Sequence, residues 1–241
     1  MRSRTRTLTA LLLVAALVVG AGCAAMPGGE TKPYETPLNG SEMEQKHATV
    51  LQEAGSYTYE LNYSSSFSGQ SFLGTNVSAQ VDTESDAAFF ATNSSLGPIE
   101  VYVPPNGSAY QRIGTGEEAR YRQIQQRPNL SQFARLDLTN LTAKTNFTAN
   151  GTTTIDGETV WVYESSANES LSMADSVFEH ANSSVTLYVR SDGLVKRTTV
   201  TVTAGSGDTS GSLTLTRTFR KVGSTMVEEP AWLDEAKNAT A

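Results

Sequence analysis

Residues 55–63, GSYTYELNY, mark the point at which the sequence changes from a helical period to an alternating one. Tyrosine or leucine fills every second position from Tyr57 to Tyr63, and polar residues fill the positions between them. Because successive side chains of a strand point to opposite sides, this alternation predicts a strand with one apolar and one polar face. A sheet that begins with such a strand needs other elements to cover its apolar face.

The residues after this segment repeat the pattern. Apolar or small side chains alternate from Leu73 to Val81, and shorter alternating runs follow, separated by Gly, Pro and Asn. Asp156-Gly157 and Asp192-Gly193 have the composition of hairpin turns. The regular spacing predicts a long antiparallel meander. Its shorter strands are predicted at residues 87–91, 99–103, 108–113, 119–124, 185–189, 195–202 and 212–222, with a hairpin at residues 152–164.

Before residue 55 the apolar residues recur at helical spacing. Ser41 is predicted to begin a helix, with Glu44 completing a capping box, and Gly55 to end it. The apolar face of this helix would consist of Met43, His47, Val50, Leu51 and Ala54. No Cys, Asp or Glu stands at metal-binding spacing from His47, so we expect a packed histidine that hydrogen-bonds a backbone group.

Two further helices are predicted within the meander, at residues 128–141 and 169–180, from Leu, Phe, Ala and Val at roughly helical spacing. Near the end of the chain, residues 230–233, PAWL, are expected to pack an aromatic anchor against the domain. The sequence therefore predicts a single domain over residues 41–233, followed by a polar tail at residues 234–241.

The N-terminal segment determines the predicted cellular location of this domain. Residues 8–23, LTALLLVAALVVGAGC, follow a start that carries Arg2, Arg4 and Arg6. The apolar core is shorter than the ~20 residues of a membrane-spanning helix. A basic start, a short apolar core and small residues are typical of a cleaved secretory signal, here predicted at residues 1–22.

The only cysteine, Cys23, ends this segment. Residues 20–23, GAGC, resemble the lipobox of prokaryotic lipoproteins, although Gly20 stands where that pattern prefers Leu or Val. The alternative is an ordinary cleavage that leaves a free thiol. Exported proteins rarely keep one unpaired cysteine, which favours lipidation of Cys23. Residues 24–40 are rich in Pro and Gly and are predicted to form a flexible tether.

The charge balance argues against a nucleic-acid partner. Without residues 1–22 the chain has 15 basic and 25 acidic side chains. Phosphate binding needs clustered Lys and Arg. The expected attachment to the membrane is therefore the lipid anchor, since there is no basic patch to attract anionic headgroups.

Every asparagine of the chain stands in Asn-x-Ser/Thr, with x never proline. Serine and threonine make up 56 of 241 residues, so fewer than a quarter of randomly placed asparagines would satisfy this rule. The set therefore predicts N-glycan acceptors on an exported surface. Its twelve members are Asn39, Asn62, Asn76, Asn93, Asn106, Asn129, Asn140, Asn146, Asn150, Asn168, Asn182 and Asn238.

Lipobox, sequons and acidity together resemble cell-surface lipoproteins of halophilic archaea. The element order is similar to the half-barrel lipoprotein carriers of the outer-membrane sorting and mycobacterial glycolipid-binding types. It resembles more closely a haloarchaeal lipoprotein family of unassigned function, through the lipobox, the strand start at residues 55–58 and the Pro-x-Trp-Leu ending. The resemblance implies an α+β fold, an open antiparallel β half-barrel wrapped around two or three short helices with an apolar hollow between them, on the outer face of the cytoplasmic membrane.

Enzymatic motifs are weak in this sequence. Residues 208–211, DTSG, are similar to the catalytic turn of aspartic proteases, but the order differs and no second copy exists. His47 and His180 are the only candidate bases, and neither is followed by an evident orienting acid. No phosphate-binding loop or metal-ligand cluster is present. We therefore expect no catalytic residue, metal or cofactor.

Two non-enzymatic functions remain open. In the first, the concave face of the sheet binds a lipid or acyl chain, because about ten strands offer more apolar surface than three short helices cover. In the second, the helices fill the hollow and the protein is a glycosylated surface module that binds an unidentified protein or coats the cell. The first hypothesis places the ligand against Tyr57, Tyr59, Leu61, Leu73 and Val77.

Overall fold

Eleven antiparallel strands form one open sheet in a computed structural model that describes residues 31–68, 70–94, 97–167, 182–205 and 210–241. The predicted α+β half-barrel is confirmed. The strands are β1 Ser56–Phe67, β2 Gln70–Asp82, β3 Ala87–Ser94, β4 Gly97–Val103, β5 Ala109–Ile113, β6 Arg120–Ile124, β7 Thr148–Ile155, β8 Glu158–Ala167, β9 Asn182–Val189, β10 Val195–Ala204 and β11 Gly211–Arg220.

The first strand lies at the centre of the sheet. The order is β6-β5-β4-β3-β2-β1-β11-β10-β9-β8-β7. Strands that follow one another in the sequence are paired, except β6 and β7, which form the two edges. The first and last strands, β1 and β11, are paired with each other. The pair β1–β11 joins the two ends of the meander, with Tyr59 opposite Phe219. The chain between edge strands β6 and β7 crosses one side of the sheet. We call this side, which carries Tyr59 and Phe219, the concave face.

Within the described ranges the α-helices are α1 Gly40–Glu53, α2 Leu138–Lys144 and α3 Leu233–Ala239. Short 3-10 helices occupy Gly116–Glu118 and Leu130–Ala134. No helix among the described residues has the length and hydropathy of a membrane span.

The start of α1 differs from the prediction. Asn39, not Ser41, is the N-cap, and its side chain accepts a hydrogen bond from the Glu42 amide at 3.2 Å. Glu44 does not complete a capping box; its carboxylate accepts bonds from the Thr139 amide at 3.3 Å and the Thr139 hydroxyl at 3.0 Å. A carboxylate near a helix N-terminus is favourable, so Glu44 ties α1 to the first turn of α2. Gly55, at φ +74°, follows the helix as predicted.

The helix predicted at residues 128–141 is two separate elements. The 3-10 helix Leu130–Ala134 precedes α2, and Asp137 between them has a φ of 57°. Apolar spacing alone does not reveal this left-handed residue, which interrupts the helical backbone. The helix predicted at residues 169–180 lies outside the described residues.

Residues before α1 pack on the domain. In the region predicted to be a tether, Tyr34 and Leu38 are buried. The Tyr34 amide donates to the Tyr163 hydroxyl at 3.2 Å, and that hydroxyl donates to the Tyr34 carbonyl at 2.8 Å. The compact unit accordingly spans Lys32–Ala241.

The aromatic anchor near the C-terminus is confirmed. Trp232 is 5% exposed and packs in a small cluster with Tyr102, Leu233 and Ala236. Its Nε1 donates to Glu100 Oε2 at 2.6 Å. Because Tyr102 alternates with the core residues Val101 and Val103, this cluster lies on the opposite, outer face of the sheet. Residues 234–241, predicted to be a polar tail, include most of α3.

Candidate functional site

The two ends of the concave face have different surroundings. At one end, α1 and the 3-10 helix Leu130–Ala134 bury the sheet: Phe219 has no exposed surface, and its ring lies 4.6 Å from His47 and 5.6 Å from Tyr59 between centroids. At the other end, several apolar side chains of β1, β2, β4, β5 and β11 remain partly exposed, whereas Val202 and Ala204 of β10 are buried. Among the described side chains, the partly exposed apolar ones at this open end are Leu61, Tyr63, Phe67, Val77, Ile99, Ile113 and Leu213.

A cross-strand row marks the boundary of the open end. Its members are direct cross-strand neighbours on the concave face: Ile113, Ile99, Thr92, Val77, Leu61 and Arg217. Ile99 and Ile113 are 37% and 42% exposed, and Phe67, beyond the row, is 47% exposed. Ile99 and Ile113 are paired across β4 and β5, so they expose contiguous apolar surface, which is typical of a contact surface.

A groove continues the open end between α2 and the strands β10 and β11. Its volume is about 70 Å³. This is well below the roughly 300–1,000 Å³ of enclosed ligand sites, so the groove can take part of an apolar molecule but cannot enclose a whole lipid. Its walls are apolar and its rim is polar. It is lined by Leu136, Asp137, Asn140, Leu141, Lys144, Val200, Val202, Leu213, Leu215 and Arg217.

The residues predicted to bind the ligand fall into three groups. Tyr57 and Tyr59 are 1% and 7% exposed and belong to the core beneath α1, and neither lines the groove. Leu61 and Val77 face each other across β1 and β2 and are half-buried, within the open end. Leu73 lies in β2, and its side chain is outside the described residues.

Burial also disfavours ionisation of the two core tyrosines, Tyr57 and Tyr59. It raises the pKa of the Tyr57 hydroxyl and of the Tyr59 hydroxyl, and the nearby guanidinium of Arg217, hydrogen-bonded to Tyr59, opposes the rise at Tyr59. Arg217 therefore lies at the boundary between the core and the open end.

His47 is a structural histidine, as predicted. It has no exposed surface, and its Nδ1 accepts a hydrogen bond from the Val195 amide at 3.3 Å. Burial lowers its pKa to about 3, so the imidazole is neutral at physiological pH. Among the described residues no group of three or more His, Cys, Asp and Glu side chains is placed to hold a metal ion. His180, the other histidine, lies outside these residues, as do Asp208 and Thr209.

The sequon asparagines share one structural property. The structure describes eleven of the twelve, and the side chains of all eleven are exposed. Asn62, Asn76 and Asn93 lie side by side on the outer faces of β1, β2 and β3. Asn168 and Cys23 lie outside the described residues.

Sequence reasoning did not identify the groove. Its walls include Leu213 and Leu215. The predicted last strand contains both residues, but the sequence pattern assigns them no role. The one available signal was the alternation Leu213, Leu215, Arg217, Phe219, in which a charged residue takes a position on the apolar face. The opposite wall comes from Leu136 and Leu141, in the region where the break at Asp137 was not foreseen.

A model described as "Family of unknown function (DUF7537)" matches residues 8–236. The sequence matches no curated protein at a significant level. Among solved structures, the Mycobacterium tuberculosis lipoprotein LppX is 16% identical with a TM-score of 0.39, over 78% of this chain and 99% of that one. LprF from Mycobacterium bovis is 12% identical with a TM-score of 0.41, over 80% and 97%.

A LolA superfamily protein from Nitrosomonas europaea is 8% identical with a TM-score of 0.28, over 80% of this chain and 96% of that one. These likenesses are distant. The function of this chain has to follow from its own geometry.

Proposed function

We propose that this chain, which belongs to the family of unknown function DUF7537, binds an apolar ligand such as an acyl chain at the open end of its concave face. One observation carries the proposal: the row from Ile113 to Leu61 continues the apolar face of the sheet beyond the part that α1 covers, and its side chains stay partly exposed. Exposed apolar surface of this extent is costly in water, and a ligand would remove that cost.

The groove beside α2 indicates how the ligand is oriented on the sheet. Leu213 and Leu215 form its floor on β11, and Leu136 and Leu141 form its wall. A chain lying along Leu213 and Leu215 would also lie beside Ser65 and Tyr63, their cross-strand neighbours on β1. The small volume of the groove suits a chain held lengthwise at a surface better than a molecule buried on all sides.

Replacing Leu213 by Asp is expected to weaken binding of the neutral fluorescent probe N-phenyl-1-naphthylamine at least about tenfold, because a carboxylate then has to be buried against the ligand. The measurement is a fluorescence titration of purified protein. Thr214→Asp is the matched control, since Thr214 is the next residue of β11 and faces the outer side, opposite Ser64 and Thr201. Equal affinities of both variants and the wild type would place the probe elsewhere.

We also propose that the protein acts outside the cell as a glycosylated lipoprotein of the kind that halophilic archaea carry on the cytoplasmic membrane. The lipobox at Cys23 supports the anchor, and the exposure of every described sequon asparagine supports the glycans. An N-glycan is bulky and needs an acceptor at the protein surface. Exposed sequons on both the sheet and the helices satisfy that requirement.

Intact-mass measurement of protein extracted from its host membrane tests both modifications. The expected mass is that of the chain from Cys23 plus a lipid and several glycans. Cys23→Ser is expected to release the protein into the medium with its glycans retained. Continued membrane retention of this variant would contradict the anchor, and a mass equal to that of the bare polypeptide would contradict the glycans.

A second function is favoured by one observation, the small volume of the groove. If the hollow is filled in the native protein, the chain is a surface module that contacts another protein or forms part of the cell coat. This alternative predicts that the wild type binds no apolar probe at all.

A further inference from the structure

Arg217 is a charged residue on an apolar face. It lies on β11 with Leu61 opposite on β1 and Thr198 opposite on β10, and Leu215 precedes it on the same face. The side chain is partly buried and lines the groove beside α2. Partial burial of a guanidinium among apolar side chains is unfavourable unless a partner compensates it.

Several other partly buried arginines have carboxylate partners, whereas Arg197 lies over the Tyr188 ring and has no carboxylate of the described residues within 4.0 Å. Arg112 pairs with Glu100 at 2.8 Å, Arg190 with Glu158 at 3.1 Å and Arg220 with Glu60 at 2.9 Å. No carboxylate of the described residues lies within 4.0 Å of the Arg217 guanidinium. Its contacts are the Tyr59 hydroxyl and a long hydrogen bond from Nη1 to the Leu136 carbonyl at 3.5 Å.

Within the part of the chain that the structure describes, these contacts leave much of the hydrogen-bonding capacity of Arg217 unused. A guanidinium has five N–H donors arranged as a planar fork that matches a carboxylate or a phosphate. Two other charges lie at the rim of the groove: Lys144, which adds a positive charge, and Asp137, whose carboxylate accepts a hydrogen bond from Asn140 at 2.7 Å. The groove therefore carries a net positive charge beside apolar walls.

We propose that the ligand of the groove is an anionic amphiphile, an acyl chain that ends in an acidic headgroup, and that this headgroup pairs with Arg217 while the chain lies along Leu213 and Leu215. The inference rests on the proposed function and narrows it to a ligand class. An uncharged lipid would leave the guanidinium without a partner, and a free anion would leave the apolar walls exposed. Only a molecule with both parts satisfies both features.

Competition experiments with two ligands that differ in charge test the inference. Laurate and 1-dodecanol have the same number of carbons, and each displaces the neutral probe N-phenyl-1-naphthylamine if it binds the groove. We expect the wild type to bind laurate at least about tenfold more tightly than dodecanol, as a charge-assisted hydrogen bond predicts. Arg217→Met should bind dodecanol as the wild type does and lose the preference for laurate.

Two further variants make the result specific. Arg217→Lys should keep part of the preference, because the charge remains but the fork is lost. Arg197→Met removes the same charge from the opposite face of the sheet, where Arg197 lies over the ring of Tyr188 at 5.9 Å, and should leave the preference unchanged.

The outcomes separate this inference from the proposed function. If the wild type binds laurate and dodecanol equally, the inference is overturned and the groove remains an apolar site. If the preference for laurate survives in a folded Arg217→Met variant, Arg217 is not the residue that binds the headgroup. If the wild type binds neither ligand nor the probe, the proposed function itself fails. If Arg217→Met does not fold, the preference of the wild type for laurate over dodecanol and its partial loss in Arg217→Lys still test the inference.

Discussion

Lowering the pH from 7 to 4 is expected to reduce the free energy of unfolding by about 3 kcal/mol through His47 alone. The pKa of His47 is lowered from 6.5 to about 3 in the folded protein, because the ring is fully buried. Between these two values the unfolded chain binds a proton that the folded chain does not. Stability contributed by the neutral ring is therefore complete above pH 6.5 and declines as the pH falls toward 3.

Urea denaturation of the wild type and of His47→Gln at several pH values measures this effect. A glutamine side-chain oxygen can still accept the hydrogen bond from the Val195 amide, and glutamine does not titrate. We expect a lower stability for the variant at pH 7 but a much flatter pH dependence between pH 7 and 4. The carboxyl groups with lowered pKa, such as Asp82 and Asp192, contribute mainly below this range. Parallel pH profiles would mean that His47 is solvated or charged in the folded state.

The second large effect is expected at Phe219. Truncation to alanine should cost about 3–5 kcal/mol of stability, the usual range for a fully buried phenylalanine. The ring contacts His47 on α1 and both Tyr57 and Tyr59 on β1, so its loss leaves a cavity where the helix meets the centre of the sheet.

Phe67→Ala is the matched control for this prediction. Phe67 is on the neighbouring strand β1, opposite Gly211 on β11, and is 47% exposed. We expect it to change the stability by less than about 1 kcal/mol. Comparable losses from the two variants in urea denaturation would show that α1 does not seal this end of the sheet.

Local sequence signals predicted most of the strands. Alternation located β1, β2 and β11, and Asp156-Gly157 was correctly predicted as a turn, where both residues have positive φ. Such signals suffice because strand faces and turn types depend on a few adjacent residues. The pairing of β1 with β11, which closes the meander into one sheet, depends on residues about 160 positions apart and leaves no local trace.

The errors of prediction arose where a contact spans distant segments. Ser41 and Glu44 have the spacing of a capping box, but Asn39 takes the cap and Glu44 is used by Thr139 on α2. Tyr57 and Leu61 share one face of β1, yet α1 covers the first and not the second. Alternation shows which residues share a face, whereas the helix that packs there decides which of them a ligand can reach.

The charged position at Arg217 is visible in the sequence, but its meaning is not. A charged residue on an apolar face is most often paired with a carboxylate elsewhere in the chain. Only the fold shows that no described carboxylate reaches this guanidinium and that apolar groove walls surround it. Candidate binding residues therefore follow from the alternation, and their selection needs the packing of α1 and α2.

Native mass spectrometry of the protein extracted from its host membrane shows whether the open end of the concave face holds a ligand, since it detects a ligand without assuming its identity. We expect the wild type and Thr214→Asp to carry an additional mass consistent with an acyl-chain amphiphile, and Leu213→Asp to lack it. Wild-type protein that is empty in repeated preparations, or an additional mass that persists in Leu213→Asp, would contradict the assignment of the open end of the concave face as a ligand site.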